Sequence, residues 1–102
     1  MTRLKAYQRI SGLTLDQLGK LIGRAQPQVV RYLKPRSDPK HNVPQWQVGE
    51  KIKTLTFGVI DLGNYAEEVT PVEAAEMMAE ISRREDAAKA DAAAKAGQVA
   101  HG

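Results

Sequence analysis

Apolar residues in the first third of the chain recur at the three- and four-residue spacing of a helix face. Leu4, Ala6, Tyr7 and Ile10 make one such stripe and Ser11-Gly12 supplies a stop, so the pattern predicts a helix over residues 2–11. Thr14-Leu15-Asp16-Gln17 then carries a capping-box signature, in which a threonine hydroxyl caps the amide three residues on and a glutamine reaches back. Leu15, Leu18, Leu21 and Ile22 give this second helix its apolar face, and Gly23 ends it. A short turn, Gly23-Arg24-Ala25, leads to a third helix over 26–33. Pro27 falls in its first turn, where a missing amide hydrogen costs nothing, and Val29, Tyr32 and Leu33 form its buried stripe.

The segment 34–42, KPRSDPKHN, has two prolines and no apolar residue, and is predicted as a loop. A fourth helix is expected over 44–56, with Trp46, Val48, Ile52 and Leu55 in the core and packing as the role of Trp46. Residues 57–62, FGVIDL, suit a turn or a short extended piece leading to a small fifth helix that ends near Glu68. Thr70-Pro71 opens a separate acidic helix, threonine as cap and proline at the first position, running to about residue 86. Beyond Asp86 the only bulky apolar residue is Val99, so the Ala/Lys-rich end is expected as a tail, helical when extended and otherwise disordered. The expected organisation is an all-α, five-helix unit at 1–70 followed by an acidic, Ala-rich helical tail at 71–102.

Charge divides the chain in nearly the same place. Residues 1–56 hold 11 Lys/Arg against 3 Asp/Glu, a net +8, whereas residues 57–102 hold 4 against 9, a net −5. A basic half followed by an acidic one points to a polyanion-binding module with something appended. Composition also narrows the chemistry. With 102 residues there is little room for a deep substrate cleft, and no cysteine excludes disulfides and thiolate zinc sites. His41 and His101, the two histidines, have no metal-ligand spacing. No nucleophile–base pair and no Gly-rich phosphate loop is present, and Glu67 and Glu68, being adjacent, point apart. The expectation is therefore a non-enzyme with no catalytic residue, no metal and no cofactor. The opening residues contain no apolar run of signal-peptide or membrane-span length, which leads to the expectation of a cytoplasmic protein with no membrane contact.

Two short helices joined by a Gly-containing turn, the second polar on its outer face, form a helix-turn-helix pattern inside the basic half. The crossing of the two helices needs a small residue, here Gly19, and the turn needs tolerance of positive φ, here Gly23. Residues 13–33, LTLDQLGKLIGRAQPQVVRYL, resemble the helix-turn-helix of lambda-repressor-like and Cro-like (XRE-type) regulators. The family's apolar–small–apolar–Gly pattern is matched by Leu18, Gly19, Ile22 and Gly23, and its later apolar pair by Val29 and Tyr32. The resemblance extends more loosely over residues 3–66. Two departures stand out: the turn position after Gly23 is usually apolar and is Arg24 here, and the loop at 34–42 is longer than usual.

The resemblance implies a five-helix bundle that binds double-stranded DNA as a transcriptional regulator of phage or prophage type, a repressor, with helix 26–33 in the major groove. It places Gln26 and Gln28 at base-reading positions, Gln26 having a phosphate as its alternative. Arg31 follows Gln28 by three residues on the same face. Glutamine can bond adenine N6 and N7 together, and arginine can bond guanine O6 and N7 together. Gln17 at the start of helix 2, with Arg24, Lys34, Arg36 and Lys40 around helix 3, are the candidate phosphate contacts. One short recognition helix reads few base pairs, so a homodimer is expected, its contact at 57–65 with the helix 71–86 assisting. Two further possibilities stay open. One is an antitoxin-like DNA-binding head whose acidic tail holds a protein partner through Val72, Ala75, Met78 and Ala79, with Met77 and Ile81. The other is an architectural, excisionase-like role.

Overall fold

A computed structural model describes residues 1–101, with side chains through residue 95. The fold is an all-α five-helix bundle: α1 (Arg3–Ile10), α2 (Leu15–Ile22), α3 (Gln26–Leu33), α4 (Trp46–Leu55) and α5 (Pro71–His101). α2 packs on α3 and α4, while α1 packs on α3 and α5. No helix is long and apolar enough to cross a membrane among the described residues.

Local chemistry sets the helix ends. The Thr14–Gln17 capping box is fully formed: Gln17 N donates to Thr14 Oγ1 (3.0 Å) and Thr14 N to Gln17 Oε1 (2.8 Å). A second box opens α5, with Glu73 N donating to Thr70 Oγ1 (3.1 Å) and Thr70 N to Glu73 Oε1 (3.0 Å). Thr2 caps α1 by accepting from Lys5 N (3.3 Å), and donates its own hydroxyl to the Leu33 carbonyl (2.9 Å). That bond ties the start of α1 to the end of α3, and Thr2 is accordingly buried.

The crossing of α2 and α3 leaves no space for a side chain. A Cβ placed on Gly19 would lie 2.5 Å from the Arg24 carbonyl oxygen and 3.4 Å from Val29 Cγ2. Arg24 N in turn donates to the Gly19 carbonyl (2.8 Å). The chain reverses through Gly23 at φ 73°, left-handed backbone that glycine adopts without a Cβ penalty. Around this turn Leu4, Leu18, Ile22, Val29, Val48 and Ile52 form the core of the bundle.

The expected small helix before Glu68 is absent. Residues 57–68 form turns, closed by an antiparallel bridge between Thr2 and Glu68. Asp61 and Asn64 compete successfully with helical bonding. Asp61 Oδ1 accepts from Gly63 N (2.8 Å) and Asn64 N (3.1 Å), and the Asn64 side chain bonds Asp61 N (2.9 Å) and the Val59 carbonyl (3.0 Å). The fifth helix is instead the acidic one, which continues past Asp86 without a break. Of the expected tail, residues 87–95 are described and exposed, while the packing of residues 96–102 lies outside the described side chains.

Segment 57–65, where the dimer contact was expected, contributes to the chain's own core. Ile60 and Tyr65 are fully buried in the chain's own core, with Val59 and Leu62 packed against it. The turn enters through Phe57 (φ 54°) and Gly58 (φ 82°). Buried Thr56 steadies it, its hydroxyl bonding the Ile52 carbonyl (2.9 Å) and receiving Ile60 N (3.0 Å). Three expected core residues face outward: Ile10 (54 % exposed), Leu21 (49 %) and Trp46 (67 %). Trp46 is the first residue of α4, about 160° round the helix from Val48 and about 120° from Ile52. On α5, Ala74, Met77 and Ile81 pack inward, while Val72, Ala75 and Ala79 remain exposed.

Gly19→Ala is expected to destabilise the full chain by about 1–3 kcal/mol, because a backbone carbonyl cannot swing away as a side chain would. Urea denaturation checks this, and a wild-type midpoint in the variant would contradict the close crossing.

Candidate nucleic-acid interface

α3 stands as a ridge between two clefts. Val29, Tyr32 and Leu33 bury one face, which leaves Gln26, Pro27, Gln28 and Arg31 exposed. No residue of the helix is acidic. On the Gln28 flank lies a cleft of about 510 Å³, lined by Arg24, Gln28, Tyr32, Asn42, Val43 and Gln45 among others. On the Val30 flank lies a larger one of about 750 Å³, between α1 and α3.

The expected site residues separate into distinct environments. Gln26, Gln28 and Arg31 share the exposed side of α3, and Arg31 has no carboxylate within 4.0 Å among the described residues. Arg24 spans the small cleft, donating from Nη1 to the Gly23 carbonyl (2.9 Å) and from Nη2 to Gln45 Oε1 (3.4 Å). The polar turn position is thus accommodated at the protein surface. Gln17 is exposed, with its Oε1 engaged in the α2 cap. Lys34 lines the larger cleft, 3.9 Å from Asp38 Oδ2. Lys40 is exposed in the loop. Arg36 lies over the Tyr65 ring, 5.3 Å from its centroid, and bonds the Leu62 carbonyl (3.4 Å), so it packs the loop against the segment after α4.

The long loop after α3 is pinned rather than loose. His41 Nδ1 lies 2.6 Å from the Lys34 carbonyl and Nε2 lies 2.7 Å from the Tyr65 hydroxyl. A carbonyl only accepts, so Nδ1 carries the proton, and in the neutral ring Nε2 accepts from the phenol. The two rings also stack, with centroids 5.6 Å apart. This clasp holds both ends of the loop that carries Lys34, Arg36 and Lys40. Burial pushes the Tyr65 phenol above its usual value, opposed by Arg36 and reinforced by Tyr32. Burial likewise raises Tyr7, with Glu85 adding to the effect.

Ion pairing sharpens the charge asymmetry read from the sequence. All four Lys/Arg among residues 57–95 pair with an acid on their own helix: Arg83 and Arg84 with Glu80, Lys89 with Glu85, and Lys95 with Asp91. Of the eleven in residues 1–56, only Arg3, Lys20 and Lys34 pair within 4.0 Å among the described residues. Among the described residues, the Lys and Arg without an acidic partner therefore all belong to residues 1–56. Four further residues were not among the expected site residues. Lys5 and Arg9 line the larger cleft, while Val43 and Trp46 expose apolar surface in and just beyond the loop before α4. A basic pair four apart on α1 was the available signal for the first two; nothing in the pattern distinguished the others from core residues.

No protein-family model matches the chain, and neither does any curated protein or solved structure.

Because the phenols of Tyr7 and Tyr65 are raised on folding, the folded chain keeps protons that the unfolded chain releases. Stability is expected to be fully present below about pH 10 and to fall as pH rises through the folded-state values. Tyr65→Phe should make this alkaline decline shallower and cost about 1–3 kcal/mol at neutral pH, since it strands His41 Nε2. Chemical denaturation at several pH values checks both effects; a variant identical to wild type throughout would remove the clasp from the account.

Proposed function

We propose that this chain is a lambda-repressor-like, sequence-specific double-stranded DNA-binding regulator of repressor type, with α3 seated in the major groove. α3 carries this reading: its exposed face offers Gln26, Gln28 and Arg31 and no carboxylate, on a ridge between two clefts. An α-helix fits the width of the major groove, and these side chains are the ones that pair bidentately with adenine and guanine edges. Arg24 and Lys34, one in each flanking cleft, suit phosphate contacts that set the register while carrying no sequence information. The unpaired cations of the basic half favour any polyanion, and the glutamines and arginine of α3 make the choice of duplex specific. Binding as a homodimer to paired half-sites would supply the length of sequence that one helix cannot read.

A second reading adds a protein partner on α5, in the manner of an antitoxin. Every described residue from Asp86 to Lys95 is exposed, so this stretch of helix stands clear of the bundle. Its Glu85–Lys89 and Asp91–Lys95 pairs, with the acid four residues before the base, support a helix that has no packing beneath it.

Selection from random duplexes should yield a preferred site. Arg31→Ala is expected to cost about 1–3 kcal/mol on that site and to relax preference at one base position, while Lys40→Ala weakens all duplexes alike. If both variants lower preferred-site and random-duplex binding in the same ratio, α3 is not the reader.

A further inference from the structure

We propose that the cleft between α1 and α3 seats the sugar–phosphate backbone of one DNA strand, gripped by Lys5 and Arg9 on α1; this rests on the reading of α3 as the groove-entering helix. Four positive groups line the cleft: the Met1 amine, Lys5, Arg9 and Lys34. Its two carboxylates are already engaged, Asp38 with Lys34 (3.9 Å) and Glu68 with the Met1 amine (3.0 Å). Lys5 and Arg9 have no carboxylate within 4.0 Å among the described residues, which leaves the cleft with two uncompensated charges.

Their placement suits a strand rather than a small anion. Lys5 and Arg9 are four residues apart on an eight-residue helix, hence neighbours on one face and able to engage successive sites along a line. The opposite wall is α3 itself, through Val30, Leu33 and Lys34. A helix lying in a major groove has a backbone on each side of it. The strand on the Gln28 flank meets Arg24, Asn42 and Gln45, and the strand on the Val30 flank meets α1. Apolar Leu15, Val30 and Leu33 in the same cleft offer contact to deoxyribose. The recognition ridge would thus be held by both strands, one of them through α1, which the sequence presents only as a scaffold helix.

The experiment measures duplex affinity of the full chain against salt concentration for wild type, for Lys5→Gln/Arg9→Gln, and for Lys89→Gln/Lys95→Gln as a control with the same charge change on α5. The Lys5/Arg9 variant should bind preferred and random duplexes more weakly by the same factor, with the slope of log affinity on log salt reduced by about 2, or close to 0.9 for each phosphate lost. The control should keep the wild-type slope. Ethylation interference with the wild-type chain should in addition find blocking phosphates on both strands that border the contacted groove. A wild-type slope in the Lys5/Arg9 variant, or interference confined to one strand, overturns the α1 cleft and leaves the DNA-binding reading standing. Wild-type protein that binds no duplex in a salt-dependent way overturns both.

Discussion

The contact on which the rest of the structure depends is the approach of α2 to the turn before α3 at Gly19. Backbone meets backbone there, with the Arg24 carbonyl where a Cβ would otherwise sit and the Arg24 amide bonded to the Gly19 carbonyl. That closeness fixes the angle at which α3 leaves the turn. It also brings Val29 beside Gly19, so the buried stripe of α3 closes over Leu18 and Ile22. Once α3 is held in this way its opposite face has only one direction to point. The exposed glutamines and Arg31 follow from a missing side chain seven to twelve residues upstream.

The other parts of the fold buttress that arrangement. Thr2 joins the start of α1 to the end of α3, and the chain near Glu68 pairs with the N-terminal residues through Arg3 N to Glu67 O (2.9 Å) and Val69 N to Met1 O (2.9 Å). Tyr65 reaches from this same segment to His41, and so the loop after α3 is anchored to a part of the chain more than twenty residues away. α5 completes the enclosure: Met77 and Ile81 add to the core, and Arg84 donates to the Phe57 carbonyl (3.0 Å) at the left-handed turn after α4. The bundle is thus closed by long-range polar bonds at its seams and by ordinary apolar packing inside.

Much of this was legible from residue pattern because the controlling signals are local. Thr14 with Gln17, Gly23 after Ile22, and Pro71 after Thr70 each act within one helical turn, and each helix start or stop appears where those residues put it. Thr70 with Glu73 is a capping box of the same kind that was there to be read. The misplaced elements depended on longer-range facts. Trp46 belongs to no buried face because α4 begins at that residue, two positions later than the apolar pattern suggested. The segment before Glu68 is apolar enough for a helix, yet Asp61 and Asn64 turn it, and its Ile60 and Tyr65 complete the core from outside any helix. The candidate interface divides in the same way. The polar face of α3 follows from periodicity, whereas the convergence of Lys5 and Arg9 on the flank of α3 requires knowing that α1 packs beside it.

In the proposed function, α3 presents its exposed face to the major groove of a DNA duplex. Backbone amide shifts of the isotope-labelled full chain, followed by nuclear magnetic resonance during titration with a selected duplex, test it most directly. The largest, saturable shifts should map to residues 24–34, with smaller ones on α1 and at residues 42–46, and with α5 beyond Asp86 unchanged. Shifts confined to α5, or no saturable change with any duplex, would contradict it.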